Sequence, residues 1–130
     1  MTTISNFQSA MASPYLWEDR AAPALVPSDL EKAQKWLDEA VAKADGADKI
    51  LMAYQSMYKS AEALLHARGY KVSNFRLLIT ALHELYVRKG QLDAGETDKL
   101  IKAQELVGTP EEAMAAAQGW LAKARQLTGK

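Results

Sequence analysis

The stretch that decides the fold is residues 47–67, ADKILMAYQSMYKSAEALLHA. Its apolar side chains recur at intervals of three and four residues, which is the spacing of one face of an α-helix. The members of this stripe are Ile50, Leu51, Tyr54, Met57, Tyr58, Ala61, Leu64 and Leu65. The pattern predicts a long amphipathic helix. Arg68-Gly69 is its predicted end, because glycine accepts the left-handed conformation that closes many helices.

A first helix is predicted upstream, from residue 29 to about residue 44. Ser28 is its predicted N-cap, and Glu31 stands three residues later, which completes a capping box. Its apolar stripe again follows helical spacing and consists of Leu30, Ala33, Trp36, Leu37, Ala40, Val41 and Ala44. Asp45-Gly46 is its predicted end.

Three further helices are predicted downstream. The third runs from Phe75 to about Lys89 and is capped by Ser73 or Asn74. The fourth is capped by Thr97 and ends at Gly108. The fifth has a strong start signal, because threonine caps well, proline fits the first helical position and acidic residues suit the positive end of the helix dipole. That signal is Thr109-Pro110-Glu111-Glu112, and the helix is predicted to continue to Leu127.

These helices, joined by short connections, predict an all-α fold with no strand. The predicted architecture is an antiparallel up-and-down helical bundle of four to five helices with an irregular N-terminal arm. The arm, residues 1–28, contains three prolines, which stop any long helix. We therefore divide the chain into an irregular N-terminal extension at residues 1–28 and a helical bundle at residues 29–130.

Four aromatic residues are candidates for an interface. In the arm, Tyr15 and Trp17 flank Leu16, and this cluster either belongs to a loosely packed extension or docks on the bundle or on a partner chain. Tyr54 and Tyr58 lie on the apolar stripe of the second helix, where such residues are commonly core. A buried tyrosine needs a partner for its hydroxyl group, so Tyr54 and Tyr58 are also predicted to lie at an interface edge.

The composition limits the function. The 130 residues contain 16 basic and 16 acidic side chains, a balance that argues against general affinity for nucleic acid but leaves room for a local basic patch. The absence of cysteine excludes disulfides and thiolate metal sites. There is no glycine-rich phosphate loop, and the only two histidines, His66 and His83, stand too far apart to form a metal site alone, so we expect no cofactor and no metal. Apolar runs are too short to span a membrane and no signal peptide is recognisable, which predicts a cytoplasmic protein.

Arg76 and His83 form the candidate catalytic pair. They are seven residues apart, which places them within about 20° of each other around a helix axis. An arginine that binds phosphate and a histidine that moves a proton are the parts that a metal-independent ribonuclease needs. The alternative is that both are solvated residues beside the apolar stripe.

The candidate RNA-binding or partner-binding surface lies on the same part of the chain. It is called here the basic surface and consists of Arg68, Lys71, Arg76, Arg88 and Lys89. Only Glu84 opposes these charges locally, and such a cluster suits an RNA or an acidic partner. The alternative is an ordinary solvated face.

The segment AYQSMYKSAEALLHARGY, residues 53–70, resembles the signature helix of the HEPN superfamily. The pattern A-Y-x-x-M-F/Y-x-x-A-x-A-L-L followed by a G-Y turn is matched by Ala53, Tyr54, Met57, Tyr58, Ala61, Ala63, Leu64, Leu65, Gly69 and Tyr70. The resemblance covers about residues 29–127. It implies an all-α bundle that dimerises and belongs to a family with many metal-independent ribonucleases. These are often toxins that a nucleotidyltransferase-type antitoxin holds in check.

The family's catalytic R-x(4–6)-H motif is missing from its usual late position. After Leu106 the chain passes through Val107-Gly108 directly to TPEEA, the apparent start of the last helix. This join is either natural or an engineered loss of toxicity. Arg76 and His83 satisfy the spacing as R-x6-H, but on an earlier helix.

Three hypotheses follow. The first is a catalytically incomplete HEPN-like homodimer of a toxin–antitoxin or defence system that binds a partner, a nucleotide or RNA. The second is an active metal-independent ribonuclease that uses Arg76 and His83. The third is a structural helical adaptor that presents an apolar groove or its N-terminal arm to another protein.

Overall fold

Five α-helices make up most of the computed structural model, which describes residue 11 and residues 14–43 and 45–129. The helices are α1 (Val26–Ala42), α2 (Gly46–Ala67), α3 (Phe75–Leu82), α4 (Ala94–Gln104) and α5 (Pro110–Thr128). A 3-10 turn at Ala22–Leu25 precedes α1, and a π-helical turn at His83–Val87 continues α3. The predicted all-α bundle is confirmed. No helix within the described ranges is long and apolar enough to cross a membrane.

Helix α2 is the centre of the bundle. It packs against α1, α3, α4 and α5, so that most of its surface is covered. Its buried side chains are mainly apolar and small, which lets the neighbouring helices approach closely. They are Ile50, Ala53, Ser56, Met57, Ser60, Ala61, Ala63, Leu64, Leu65 and His66.

Two buried serines of α2 differ in how their hydroxyl groups are satisfied. Ser56 Oγ donates a 2.7 Å hydrogen bond to the Ala33 carbonyl oxygen of α1. This bond and the packing around it tie α1 to α2. Ser60 is equally buried, but its Oγ has no hydrogen-bond partner in the described part of the chain. A buried hydroxyl without a partner has lost its hydration without compensation, which destabilises the fold.

These two positions predict opposite effects of one substitution. We expect Ser60→Ala to raise the free energy of unfolding by about 1 kcal/mol, because it removes an unpaired buried hydroxyl and improves helix propensity. We expect Ser56→Ala to lower it by about 0.5–1 kcal/mol, because a buried hydrogen bond is lost. Equilibrium urea unfolding measures both. Equal destabilisation by the two variants would contradict the assignment of Ser60 as unpaired.

The helix starts agree with the prediction at two positions. Asn74 caps α3, with its side-chain oxygen accepting a hydrogen bond from the Leu77 N–H at 3.1 Å. Thr109 caps α5 in the same way, with the Glu112 N–H at 3.1 Å. The predicted end of α2 is also confirmed, since Gly69 follows the helix with a positive φ of 84°.

The prediction is wrong at two other helix starts. Ser28 does not cap α1, which begins at Val26 with Pro27 in its first turn, so that Asp29 becomes a buried residue of that turn. Proline at such a position lacks only an N–H that would have no helical partner, and the helix therefore extends further upstream. Thr97 does not cap α4, because Asp93 accepts the hydrogen bond of the Gly95 N–H at 2.7 Å one turn earlier. Thr97 is instead fully buried within α4.

Part of the predicted arm is regular. Strand β1 (Leu16–Glu18) pairs antiparallel with β2 (Tyr70–Val72), in the register that places Leu16 opposite Val72 and Trp17 opposite Lys71. Successive side chains of a strand point to opposite faces. Leu16 is accordingly buried in the core, with 0% exposure, while Trp17 keeps 39%. Of the predicted docking cluster, Leu16 docks on the bundle, and Tyr15 and Trp17 remain exposed.

Candidate functional site

The candidate catalytic residues Arg76 and His83 lie at the two ends of one helical segment. Arg76 is in the first turn of α3 and is exposed. His83 is the first residue of the π-helical turn and is also exposed. Seven residues of helix separate their Cα atoms by about 10 Å along the axis. The structure brings His83 to Thr97, not to Arg76: His83 Nε2 lies 3.0 Å from Thr97 Oγ1.

The π-helical turn widens the helix at His83. The Arg88 N–H donates to the His83 carbonyl at 2.8 Å, and the Gln91 N–H donates to the Tyr86 carbonyl at 2.9 Å. Both bonds span five residues, where an α-helix spans four. Tyr86, a buried residue of this turn, ties it to α2, since the Tyr86 hydroxyl donates to the Leu64 carbonyl at 2.5 Å. The sequence predicted one helix from Phe75 to about Lys89 and did not predict this change of helix type.

Three members of the basic surface are held by neighbouring side chains. Arg68 lies over the Tyr86 ring, with its Cζ 4.7 Å from the ring centroid, and donates to Gln91 Oε1 at 2.8 Å. Lys71 pairs with Asp19 at 3.3 Å, and Arg88 pairs with Glu84 at 2.7 Å. Arg76 and Lys89 are exposed and form no ion pair within the described residues. The positive charge available to a partner is therefore smaller than the composition of this stretch indicates.

The contacts of Asp19 lower its pKa and keep its negative charge beside Lys71. The Ala21 N–H donates to its carboxylate at 2.8 Å, and Lys71 lies beside it. The hydrogen bond from the Ala21 N–H and the ammonium group of Lys71 hold the pKa of Asp19 below its ordinary value. The negative charge of Asp19 thus stays beside Lys71 and opposes its use in binding an anion.

A buried acid–base pair joins α1 to α2, and sequence reasoning missed it. Asp29 lies in the first turn of α1 and His66 in the last turn of α2, and both are buried. Asp29 Oδ2 and His66 Nδ1 are 2.5 Å apart. The first turn of α1 and the last turn of α2 thus carry an acid and a base at the point where the two helices meet. In two antiparallel helices the first turn of one lies beside the last turn of the other. The predicted antiparallel arrangement of α1 and α2 was therefore the signal that could have revealed this pair.

An aromatic face lies on the outer side of α2, next to α3. It is defined here as Leu51, Tyr54, Tyr58 and Phe75. The ring centroids of Tyr54 and Tyr58 are 6.1 Å apart, and those of Tyr54 and Phe75 are 6.0 Å apart in an edge-on arrangement. The three rings are half-buried, and Leu51 is 38% exposed. Both predicted tyrosines are therefore part of an apolar surface that contacts the core and also reaches solvent.

Burial changes the acidity of these tyrosines. It raises the pKa of Tyr58 to about 12, with further contributions from the negative charge of Glu62 and from Tyr54. Burial and Glu62 also raise the pKa of Tyr54. Both hydroxyl groups are therefore protonated across the physiological range and can donate hydrogen bonds to a partner.

The raised pKa of Tyr58 predicts a loss of stability in alkali. The unfolded chain releases the Tyr58 proton from about pH 10, whereas the folded chain holds it until about pH 12. The contribution of Tyr58 is thus complete below pH 10 and disappears as the pH rises toward 12. We expect Tyr58→Phe to make the free energy of unfolding less dependent on pH in this window. Urea titrations at several alkaline pH values measure it, and an unchanged dependence would contradict the prediction. Some dependence should remain, because the pKa values of Tyr54 and Tyr86 are also raised.

The join at Val107-Gly108 is a tight turn between α4 and α5. Leu106 has a positive φ of 57°, which is unusual for a residue other than glycine, and Gly108 has a φ of 100°. Leu106 and Val107 are both exposed. Val107 borders a groove of about 320 Å³ that Lys99, Lys102 and Glu112 also line. The turn contains no arginine or histidine, so the late ribonuclease motif has no counterpart here.

Searches against protein-family models, curated proteins and solved structures found no significant match to this chain. The HEPN resemblance therefore stays a prediction from the sequence pattern.

The described residues also contain no group of three or more His, Asp or Glu side chains that could hold a metal ion. The two histidines lie apart, one bound to Asp29 in the core and the other bound to Thr97 at the surface. A histidine can transfer a proton and an arginine can bind an anion, which is the chemistry that His83 and Arg76 offer.

Proposed function

We propose that this chain is a HEPN-like helical module that acts by binding and that its aromatic face binds a second copy of itself. The observation that carries the proposal is the position of Leu51, Tyr54, Tyr58 and Phe75 on the outer side of the central helix. Aromatic residues are enriched in protein interfaces, where their large surfaces contribute most of the binding energy. A half-exposed aromatic cluster beside the core is the kind of surface that a partner covers.

A second copy fits this face because the surface can complement itself. In a two-fold symmetric dimer the same patch meets itself in the opposite direction. Leu51, Tyr54 and Tyr58 recur at helical spacing, so that two α2 helices could pack side by side through them. Lys59 and Glu62, which pair with each other at 2.9 Å, stand beside this stripe. In an antiparallel arrangement these opposite charges can also pair between copies.

The proposed module is catalytically incomplete. His83 is hydrogen-bonded to Thr97 and not to Arg76, and the turn at Val107-Gly108 lacks the late motif of the family. The further proposals follow from the sequence analysis: the HEPN resemblance, the charge of the basic surface, and the lack of a recognisable membrane span or signal peptide. They are a role in a toxin–antitoxin or defence system, a nucleotidyltransferase-type antitoxin as partner, binding of RNA or a nucleotide through the basic surface, and a cytoplasmic location.

The oligomeric state tests the proposed interface. We expect the chain to sediment as a dimer in analytical ultracentrifugation, and Leu51→Glu to sediment as a monomer because it places a charge in the aromatic face. Val41→Glu is the matched control, since Val41 is 63% exposed on α1 and the substitution adds the same charge elsewhere. Circular dichroism establishes that both variants are folded. A monomeric wild-type chain, or a dimer that survives Leu51→Glu, would reject the interface.

A second candidate function is metal-independent cleavage of RNA by Arg76 and His83. The observation in its favour is that both side chains are exposed on one continuous helical segment and that His83 opens a π-helical turn, a feature frequent at functional sites. Histidine would transfer a proton and arginine would stabilise the charge that develops on phosphorus. An RNA-cleavage assay in EDTA tests this with the wild type and His83→Ala. Cleavage that disappears in a folded variant supports it, and equal cleavage by both rejects it.

A further inference from the structure

The contacts of Thr97 determine which nitrogen of His83 carries a proton. Thr97 Oγ1 lies 2.7 Å from the Ala94 carbonyl oxygen and 3.0 Å from His83 Nε2. Two oxygen atoms at 2.7 Å repel each other unless a proton lies between them, and a carbonyl oxygen can only accept. The single hydroxyl proton of Thr97 is therefore donated to Ala94. Nothing remains on Oγ1 to donate to His83, so Nε2 must be the donor of the second bond.

We infer that Thr97 is a positioning residue that holds neutral His83 in the tautomer with its proton on Nε2. The lone pair of neutral His83 is then on Nδ1. This inference rests on the second candidate function for its biological meaning, because it names Nδ1 as the atom of His83 that accepts a proton in catalysis. The tautomer itself follows from the hydrogen bonds alone.

The position of Thr97 is well suited to this role. Its side chain is fully buried, and a β-branched residue in a helix has few conformations open to it. The backbone carbonyl of the adjacent residue Glu96 accepts a hydrogen bond from Trp120 Nε1 at 3.1 Å, which joins α4 to α5 beside Thr97. Both the side-chain conformation of Thr97 and the position of its helix are therefore restricted, which keeps Oγ1 in place beside His83.

The other side of the His83 ring faces a different environment. His83 is exposed, and its Nδ1 makes no hydrogen bond with any described residue. The ring is therefore held at one nitrogen and open at the other. A substrate hydroxyl that reaches His83 could donate to the unprotonated nitrogen, with Arg76 on the same helical segment.

Nuclear magnetic resonance of histidine-labelled protein measures the tautomer directly. Long-range ¹H–¹⁵N correlation distinguishes the protonated from the unprotonated ring nitrogen, and His83→Gln, at an exposed position, assigns the two histidines. For the wild-type chain, at a pH where His83 is neutral, we expect one tautomer with the proton on Nε2. We expect Thr97→Val, which keeps the shape but removes the hydroxyl, to give a mixture of tautomers, and Thr97→Ser to restore the single form.

The outcomes separate this inference from the proposed ribonuclease. A proton on Nδ1 in the wild type, or a spectrum that Thr97→Val leaves unchanged, overturns the inference. If the tautomer behaves as expected and Thr97→Val also slows RNA cleavage while Thr97→Ser does not, Nδ1 is the proton acceptor of an active enzyme. If the tautomer behaves as expected but no variant cleaves RNA, the positioning stands and the ribonuclease function fails.

Discussion

Asp29→Ala is expected to lower the free energy of unfolding by about 3–5 kcal/mol, because it leaves one member of a buried acid–base pair without its partner. Asp29 Oδ2 lies 2.5 Å from His66 Nδ1, and both side chains are almost completely covered by protein. Without the carboxylate, the imidazole group must remain buried with an unsatisfied N–H. Equilibrium urea unfolding measures the loss.

Two further variants make this prediction specific. Asp38→Ala removes the same side chain from the same helix at an exposed position, where Asp38 accepts a hydrogen bond from Gln34 Nε2. We expect that control to change stability by no more than about 0.5 kcal/mol. Asp29→Asn keeps the size of the side chain and an acceptor for His66, so its cost should lie between those of the two alanine variants. A similar cost for Asp29→Ala and Asp38→Ala would contradict the buried pair.

A double-mutant cycle shows how much of this cost belongs to the pair itself. If Asp29 and His66 act only through each other, His66→Ala should cost little more once Asp29 has already been removed. Additive costs would instead mean that each residue stabilises the fold through separate contacts.

The helices could be predicted from sequence because their signals are local. The apolar spacing of residues 47–67 indicates a helix whatever surrounds it, and the caps at Asn74 and Thr109 depend on hydrogen bonds within three residues. The N-caps predicted at Ser28 and Thr97 are wrong for an equally local reason. A competing start signal stands upstream of each: Pro27 in the first turn of α1, and Asp93 before α4.

The pairing of side chains could not be predicted in the same way. Asp29 and His66 are 37 residues apart, and Ser56 reaches a carbonyl 23 residues away. Such contacts depend on how two helices pack, which no pattern within one helix specifies. The same holds for His83 in the candidate catalytic site. Its place after Arg76 is visible in the sequence, but its hydrogen bond to Thr97 required the position of α4.

The N-terminal strand was missed because three residues are too few for an alternating pattern. Leu16 and Trp17 read as a cluster of apolar residues among prolines, and nothing in that stretch distinguishes the inward from the outward side chain. The distinction comes from β2, which lies more than 50 residues later and sets the register of the pair. Leu16 and Trp17 therefore provide a test of the strand. Burial predicts that truncating Leu16 costs more stability, whereas side-chain size alone predicts that truncating Trp17 costs more.

Leu16→Ala is expected to lower the free energy of unfolding by about 2–5 kcal/mol, which is the usual cost of removing a fully buried leucine side chain. Leu16 has 0% exposure and belongs to the same core cluster as Val72 on the paired strand. Trp17→Ala is the internal control, because it truncates a larger side chain on the neighbouring residue. Trp17 lies opposite Lys71 and retains 39% of its exposure, so we expect a smaller loss. If side-chain size alone determined the loss of stability, Trp17→Ala would be more destabilising than Leu16→Ala. A larger loss for Trp17→Ala in urea unfolding would show that the strand does not anchor the arm through Leu16.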